Sequence, residues 1–133
     1  MKKIIVILLT VICSLGAYPQ NSSKNIAIAN AKALFIATAN GDVAKIKKLT
    51  TTDFYREKYP YSDAKVREIL LSVPLEKRKK AINQVRTQTK ASAIMNRAGD
   101  VITVILDNQV TGKSFTMRLI EENGNWLVYE YDY

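Results

Sequence analysis

The sequence contains no histidine, and Cys13 is its single cysteine. Without histidine, no Ser-His or Cys-His catalytic pair can form, and zinc loses one of its usual ligands. The five glycines are scattered and no Asp-rich loop occurs, which argues against a phosphate-binding loop and a calcium loop. The sequence therefore predicts no metal site, no cofactor and no enzymatic constellation of these types.

The first residues have the pattern of a secretory signal peptide. Lys2 and Lys3 precede an apolar run from residue 4 to residue 12, and small residues follow at Ser14, Gly16 and Ala17. The run is shorter than the roughly 20 residues that a membrane-spanning helix needs. We expect residues 1–17 to be the signal peptide of an exported protein, periplasmic or secreted.

Lipid attachment at Cys13 is the alternative to ordinary cleavage. A lipoprotein signal also ends at a cysteine, but it normally has a small residue just before it, and here Ile12 occupies that place. If cleavage removes Cys13, the remaining chain contains no disulfide. Residues 18–24 contain Pro, Gln, Asn and Ser and predict a short tether, which leaves residues 25–133 as a single domain.

The two parts of the chain carry opposite charge. Residues 18–97 contain 16 basic and 6 acidic residues, whereas residues 98–133 contain 2 basic and 6 acidic residues. The predicted basic surface includes Lys45, Lys48, Lys77 and Lys80. Because residues 77–90 contain no aromatic side chain for base stacking, we expect no nucleic-acid partner. A solvated face, or weak attraction to anionic lipid, explains the lysines better.

Helical patterns fill the first two thirds of the domain. An alanine-rich run predicts a helix over Asn25–Asn40, which Gly41 ends and after which Asp42 caps a helix over Val43–Thr51. Pro60 interrupts the pattern. Ser62 then caps a third helix, and Pro74 begins a fourth.

The periodicity changes to two from about residue 87, which predicts strands. The β-branched run Val101–Leu106 predicts a central strand that is covered on both faces. Residues 122–125, Glu-Asn-Gly-Asn, predict a tight hairpin. The alternation in the last strand places Trp126 and Val128 on one face, with Leu127, Tyr129 and Tyr131 on the other. Together the patterns predict an α+β fold with N-terminal helices packed on an antiparallel sheet of about four strands.

This order of elements resembles the nuclear transport factor 2-like superfamily, the cystatin-like α+β cone. The resemblance rests on the first helix running into Gly41-Asp42, on Gly99-Asp100 before Val101–Leu106, and on residues 122–125 before Trp126. Within that superfamily the chain resembles small secreted or lipid-anchored bacterial domains, some of them lumazine-binding-like and most of them uncharacterised. The resemblance implies a curved, cone-like sheet and a pocket between the sheet and the helices.

Four aromatic residues are our candidates for that pocket: Phe35, Phe54, Tyr55 and Trp126. We expect a non-enzymatic binding module whose partner is a small apolar ligand or another protein. A small enzyme that uses Asp53 as a base with a tyrosine is one alternative, although no second carboxylate organises that pair. An envelope protein whose basic face contacts anionic lipid or an acidic protein is another.

Overall fold

The computed structural model describes residues 20–132, so the predicted signal peptide and Cys13 lie outside the described residues. Within that range five helices precede four strands. The helices are α1 (Gln20–Asn40), α2 (Val43–Leu49), α3 (Thr52–Lys58), α4 (Asp63–Leu71) and α5 (Leu75–Thr87). The strands are β1 (Thr89–Met95), β2 (Val101–Asn108), β3 (Ser114–Glu122) and β4 (Asn125–Asp132). The four strands form one antiparallel sheet in chain order, which confirms the α+β prediction.

Helix α1 begins earlier than the sequence predicts, so the proposed tether is helical from Gln20 onward. Ser23 is buried, which makes this first turn part of the domain. Further along the helix the buried positions are largely alanines, at residues 27, 31 and 37. Because alanine has a short side chain and the best helix propensity, α1 can pack closely against the sheet.

Side-chain caps define where the short helices begin. Asp42 accepts a hydrogen bond from the Lys45 backbone N–H at 3.2 Å, and Ser62 accepts one from the Lys65 N–H at 3.3 Å, as predicted. Helix α3 was missed by the sequence analysis. The Thr51 side chain accepts a hydrogen bond from the Phe54 N–H at 3.2 Å and so caps α3. Three consecutive threonines, residues 50–52, disfavour a helix interior, but threonine is well suited to a cap.

The helices cover one face of the sheet and build the core there. Ile102 and Val104 of β2, Leu119 of β3 and Val128 of β4 are fully buried in this core. The opposite face of β2 is half-exposed along its length. The prediction that β2 is covered on both faces is therefore wrong, since β-branched residues also suit a strand that is buried on one side only.

A β-bulge changes the direction of the last side chains of β4. Leu119 pairs with Val128 and Arg118 pairs with Glu130, which leaves Tyr129 without a partner in the register. The extra residue brings Tyr131 opposite Met117, on the helix-covered face. The prediction that Tyr131 shares a face with Leu127 and Tyr129 is wrong for this reason. None of the helices in residues 20–132 has the length and apolar character that a membrane crossing requires.

Candidate functional site

A cavity of about 230 Å³ lies between the helices and the sheet. The helices contribute mainly apolar side chains to it, including Leu34, Phe35, Leu70 and Ala81, and the sheet contributes Phe115, Met117 and Tyr131. Val73, in the turn between α4 and α5, is exposed and marks the opening of the cavity. The site therefore has an apolar interior with access to solvent at one edge.

Aromatic contacts build the sheet side of this cavity. The rings of Phe35 and Phe115 meet edge to face with their centroids 5.8 Å apart, and Tyr131 lies 5.3 Å from Phe115. Tyr131 also meets Phe54 of α3 at 5.2 Å. Such aromatic pairs stabilise the fold by more than the burial of their apolar surface alone, and they hold the rings in defined positions. The bulge at Tyr129 thus completes an aromatic wall that links α1, α3 and the sheet.

The rim of the cavity is positively charged. Lys77 and Arg78, consecutive in α5, both line it. Arg78 donates from Nε to the Val73 carbonyl oxygen at 2.9 Å and from Nη1 to the Ala39 carbonyl oxygen at 3.4 Å. Ala39 lies in the last turn of α1, where carbonyl groups have no partner within the helix. Arg78 therefore donates a hydrogen bond to a carbonyl group that the end of α1 leaves unpaired, and the two bonds hold its guanidinium group in a defined place.

A second cavity, of about 530 Å³, continues from the first. The two cavities share Phe35, Ala81 and Phe115 as lining residues. The second cavity extends between α5 and the β2–β3 hairpin, where polar side chains such as Gln84 and Asn108 join the lining. The two cavities therefore adjoin along α5, where their shared lining is apolar, and together they are named the groove.

The structure places the four predicted pocket residues in different surroundings. Phe35 lines both cavities. Phe54 contacts the ring of Tyr131 and does not line either cavity. Trp126 is buried in the core with only 4% of its surface exposed, and its carbonyl oxygen accepts a hydrogen bond from Asn30 Nδ2 at 3.0 Å. Trp126 packs the opposite end of the sheet and has no place in the groove.

Tyr55 belongs to a polar cluster at another surface. Its hydroxyl donates to Asp63 Oδ1 at 3.0 Å, and Lys47 Nζ donates to Asp63 Oδ2 at 2.7 Å. Burial and then the bond to Asp63 raise the pKa of Tyr55 to about 12. The bonds from Lys47 and Tyr55 lower the pKa of Asp63. Tyr55 is thus engaged by Asp63, whereas Asp53 lies exposed in the first turn of α3.

The predicted basic surface is exposed but is not one patch. Lys45 and Lys48 lie on α2, while Lys77 and Lys80 lie on α5. Only Lys77 among these four lines the groove. In the part of the chain that the structure describes, no three acidic or metal-ligating side chains gather into a group that could hold a metal ion.

Most residues of the groove were not predicted as site residues. Leu70, Val73, Ala81 and Tyr131 carry no local signal of a cavity, because each also suits ordinary packing. Apolar residues cluster around Pro74 in the sequence, and the structure leaves Ile69, Leu71, Val73 and Leu75 more than a third exposed. Of these four, Val73 lines the groove. An apolar turn that the core leaves exposed is a feature of binding surfaces.

No family model, no curated protein and no solved structure matched this chain. The resemblance to the nuclear transport factor 2-like superfamily therefore stays a prediction that rests on its sequence motifs and on the order of its elements.

Proposed function

We propose that this protein is an exported, non-enzymatic binding module that holds a small apolar ligand in the groove between its helices and its sheet. The observation that supports this proposal is the unfilled apolar volume beside Phe35, Leu70 and Phe115. Protein interiors are close-packed and leave few voids larger than a water molecule. An apolar cleft that opens at its edge is the usual form of a small-molecule site.

The size of the groove sets the size of the ligand. The first cavity alone is slightly smaller than the roughly 300–1,000 Å³ of typical ligand pockets. The adjoining cavity lies within that range. A ligand that occupies the first cavity and passes Ala81 into the second would bury its apolar surface at a gain of about 25 cal/mol per Å². This favours an elongated ligand over a compact one.

Filling the groove tests the proposal. Ala81 lies where the two cavities meet, so Ala81→Trp places an indole ring in the space that the ligand would use. Ala44→Trp, at an exposed position of α2, is the matched control. Binding of the neutral apolar fluorophore N-phenyl-1-naphthylamine should be strong in the wild type and in Ala44→Trp, and at least about tenfold weaker in Ala81→Trp.

Melting temperatures of all three proteins establish that the variants are folded, and Ala81→Leu provides a smaller change if the tryptophan lowers stability. Equal binding to the wild type and to a folded Ala81→Trp would contradict the proposal, as would no binding to the wild type.

Two other functions stay predictions. An enzyme that uses Asp53 would have to work without Tyr55, because that hydroxyl donates to Asp63. An envelope protein that holds anionic lipid through its basic face would lose affinity steeply as salt rises, since exposed charges are screened. Binding of a neutral ligand in the groove would change little over the same range of salt.

A further inference from the structure

The groove combines an apolar interior with a cationic mouth. Lys77 and Arg78 line the first cavity, and among the described residues no Asp or Glu lines it. The charge points to a ligand with a chemically distinct, negatively charged end.

The charge of Arg78 is positioned but not neutralised. Its two hydrogen bonds go to the backbone carbonyl groups of Val73 and Ala39, which carry no net charge. A guanidinium group has five N–H donors, so about three remain for a further acceptor. Because the two carbonyl bonds hold the group in place, little entropy is lost when an anion binds to the remaining donors.

Among the described residues, no carboxylate forms an ion pair with Lys77 or Arg78. In residues 20–132 the ion pairs join Lys47 to Asp63, Lys65 to Glu68, and Arg118 to Glu130 and Asp132, and none of them involves Lys77 or Arg78. Lys77 is exposed, so its flexible stem can lie along the apolar rim while its ammonium group reaches the mouth.

The shape of the groove indicates the structure of the apolar part of the ligand. From the mouth at Lys77 the apolar lining runs past Ala81 and continues into the second cavity. Phe35 and Phe115 flank this passage on the side of α1 and the sheet. A flexible alkyl chain fits such an elongated space better than a fused ring system does.

We propose that the ligand is an amphiphile with one alkyl chain and one carboxylate, of the fatty-acid class. Its carboxylate binds Lys77 and Arg78, and its chain lies in the groove towards Ala81. This inference rests on the proposed function, because it assumes that the groove is the binding site. It adds the chemical class of the ligand and assigns the two residues that select its head group.

Three probes with the same ten-carbon chain test the head group: decanoate, decan-1-ol and decyltrimethylammonium, each measured by calorimetry at pH 7.5 below micelle formation. Decanoate, which is ionised at this pH, should bind about tenfold more tightly than decan-1-ol, since charge-assisted hydrogen bonds near the surface supply a gain of that size. The ammonium probe should bind most weakly, because it is repelled by the two cations.

Lys77→Gln should remove most of the preference for decanoate and leave decan-1-ol binding within about twofold. Lys79→Gln is the matched control: it makes the same change of charge one residue beyond Arg78, at an exposed position that does not line the groove. Its preference for decanoate should equal that of the wild type. The preference should also shrink as salt is raised.

The outcomes separate the two proposals. If decanoate and decan-1-ol bind equally well, and Ala81→Trp abolishes the binding of both, the proposed recognition of a carboxylate is refuted and the groove is still the binding site. A preference for the ammonium probe, or an equal loss of decanoate binding in Lys77→Gln and Lys79→Gln, would also refute the assignment of the head group. No binding of any probe to the wild type would overturn both proposals.

Discussion

Replacing Gly41 by alanine tests how α1 is joined to the rest of the helical layer. Gly41 has a φ of +65°, in the left-handed region that side chains disfavour. A Cβ atom at this position would also lie 2.9 Å from Cγ and Cδ2 of Leu71, at the end of α4. Alanine therefore meets two separate penalties, one from its own backbone and one from its neighbour.

The two penalties can be estimated separately. A left-handed conformation costs a non-glycine residue roughly 1–2 kcal/mol, and the reduced entropy of the unfolded chain returns about 0.4–1 kcal/mol. The backbone effect alone is thus about 1 kcal/mol. Leu71 is partly exposed and can move aside, at the cost of about 0.5–1.5 kcal/mol for a strained rotamer. We expect Gly41→Ala to lower the free energy of unfolding by about 2 kcal/mol.

Gly124→Ala is the matched control for the backbone effect. Gly124 has a φ of +81°, but a Cβ atom there would meet nothing within 4 Å. Urea unfolding should therefore give a loss of about 1 kcal/mol for Gly124→Ala, and about twice that for Gly41→Ala.

A double-mutant cycle with Leu71→Ala isolates the contact. The cycle should show a coupling of about 1 kcal/mol, because the crowding disappears when Leu71 is shortened. Equal losses for the two glycine variants, together with no coupling to Leu71, would show that Leu71 does not crowd this position.

Two further predictions concern the core and the polar cluster. Trp126→Ala should lower the free energy of unfolding by about 3–5 kcal/mol, because the indole is buried; a loss below about 1 kcal/mol in urea unfolding would contradict its place in the core. Asp63→Asn should be less stable than the wild type near neutral pH, and the difference should shrink as the pH falls from about 4 through the lowered pKa of Asp63. The sign follows from the lowered pKa of Asp63, whose stabilising effect exists above the pKa of the unfolded chain and is lost on protonation. A difference between the two proteins that is as large at pH 3 as at pH 7 would count against this explanation.

Two helix starts, the end of α1 and the last hairpin were predictable because they depend on contacts within a few residues. Asp42 and Ser62 cap their helices through a backbone N–H three residues ahead, and Gly41 ends α1 with a positive φ. Asn123 and Gly124 both have positive φ, as the tight turn before Trp126 requires. The α+β class followed from the same local patterns, since they state the order of the elements.

Local patterns were misleading where two explanations fit the same residues. The threonines before α3 look like a break in the helical pattern, yet Thr51 is the cap of a new helix. The β-branched residues of β2 suit a strand that is covered on both faces, yet one face is half-exposed. In both cases the structure of the segment depends on the residues that pack against it, and the periodicity of the segment alone contains no information about them.

Local sequence patterns were sufficient to predict that helices precede an antiparallel sheet, that Asp42 and Ser62 cap their helices and that a tight turn lies at Asn123-Gly124. They also showed the opposite charge of the two parts of the chain. The tertiary structure alone decided the groove. The register of β3 with β4 leaves Tyr129 unpaired in the ladder and places Tyr131 on the helix-covered face. The packing of α5 beside α1 brings Lys77 and Arg78 to the mouth of the cavity. These features arise between segments that are distant in the chain, where the position of each residue depends on how the whole domain packs.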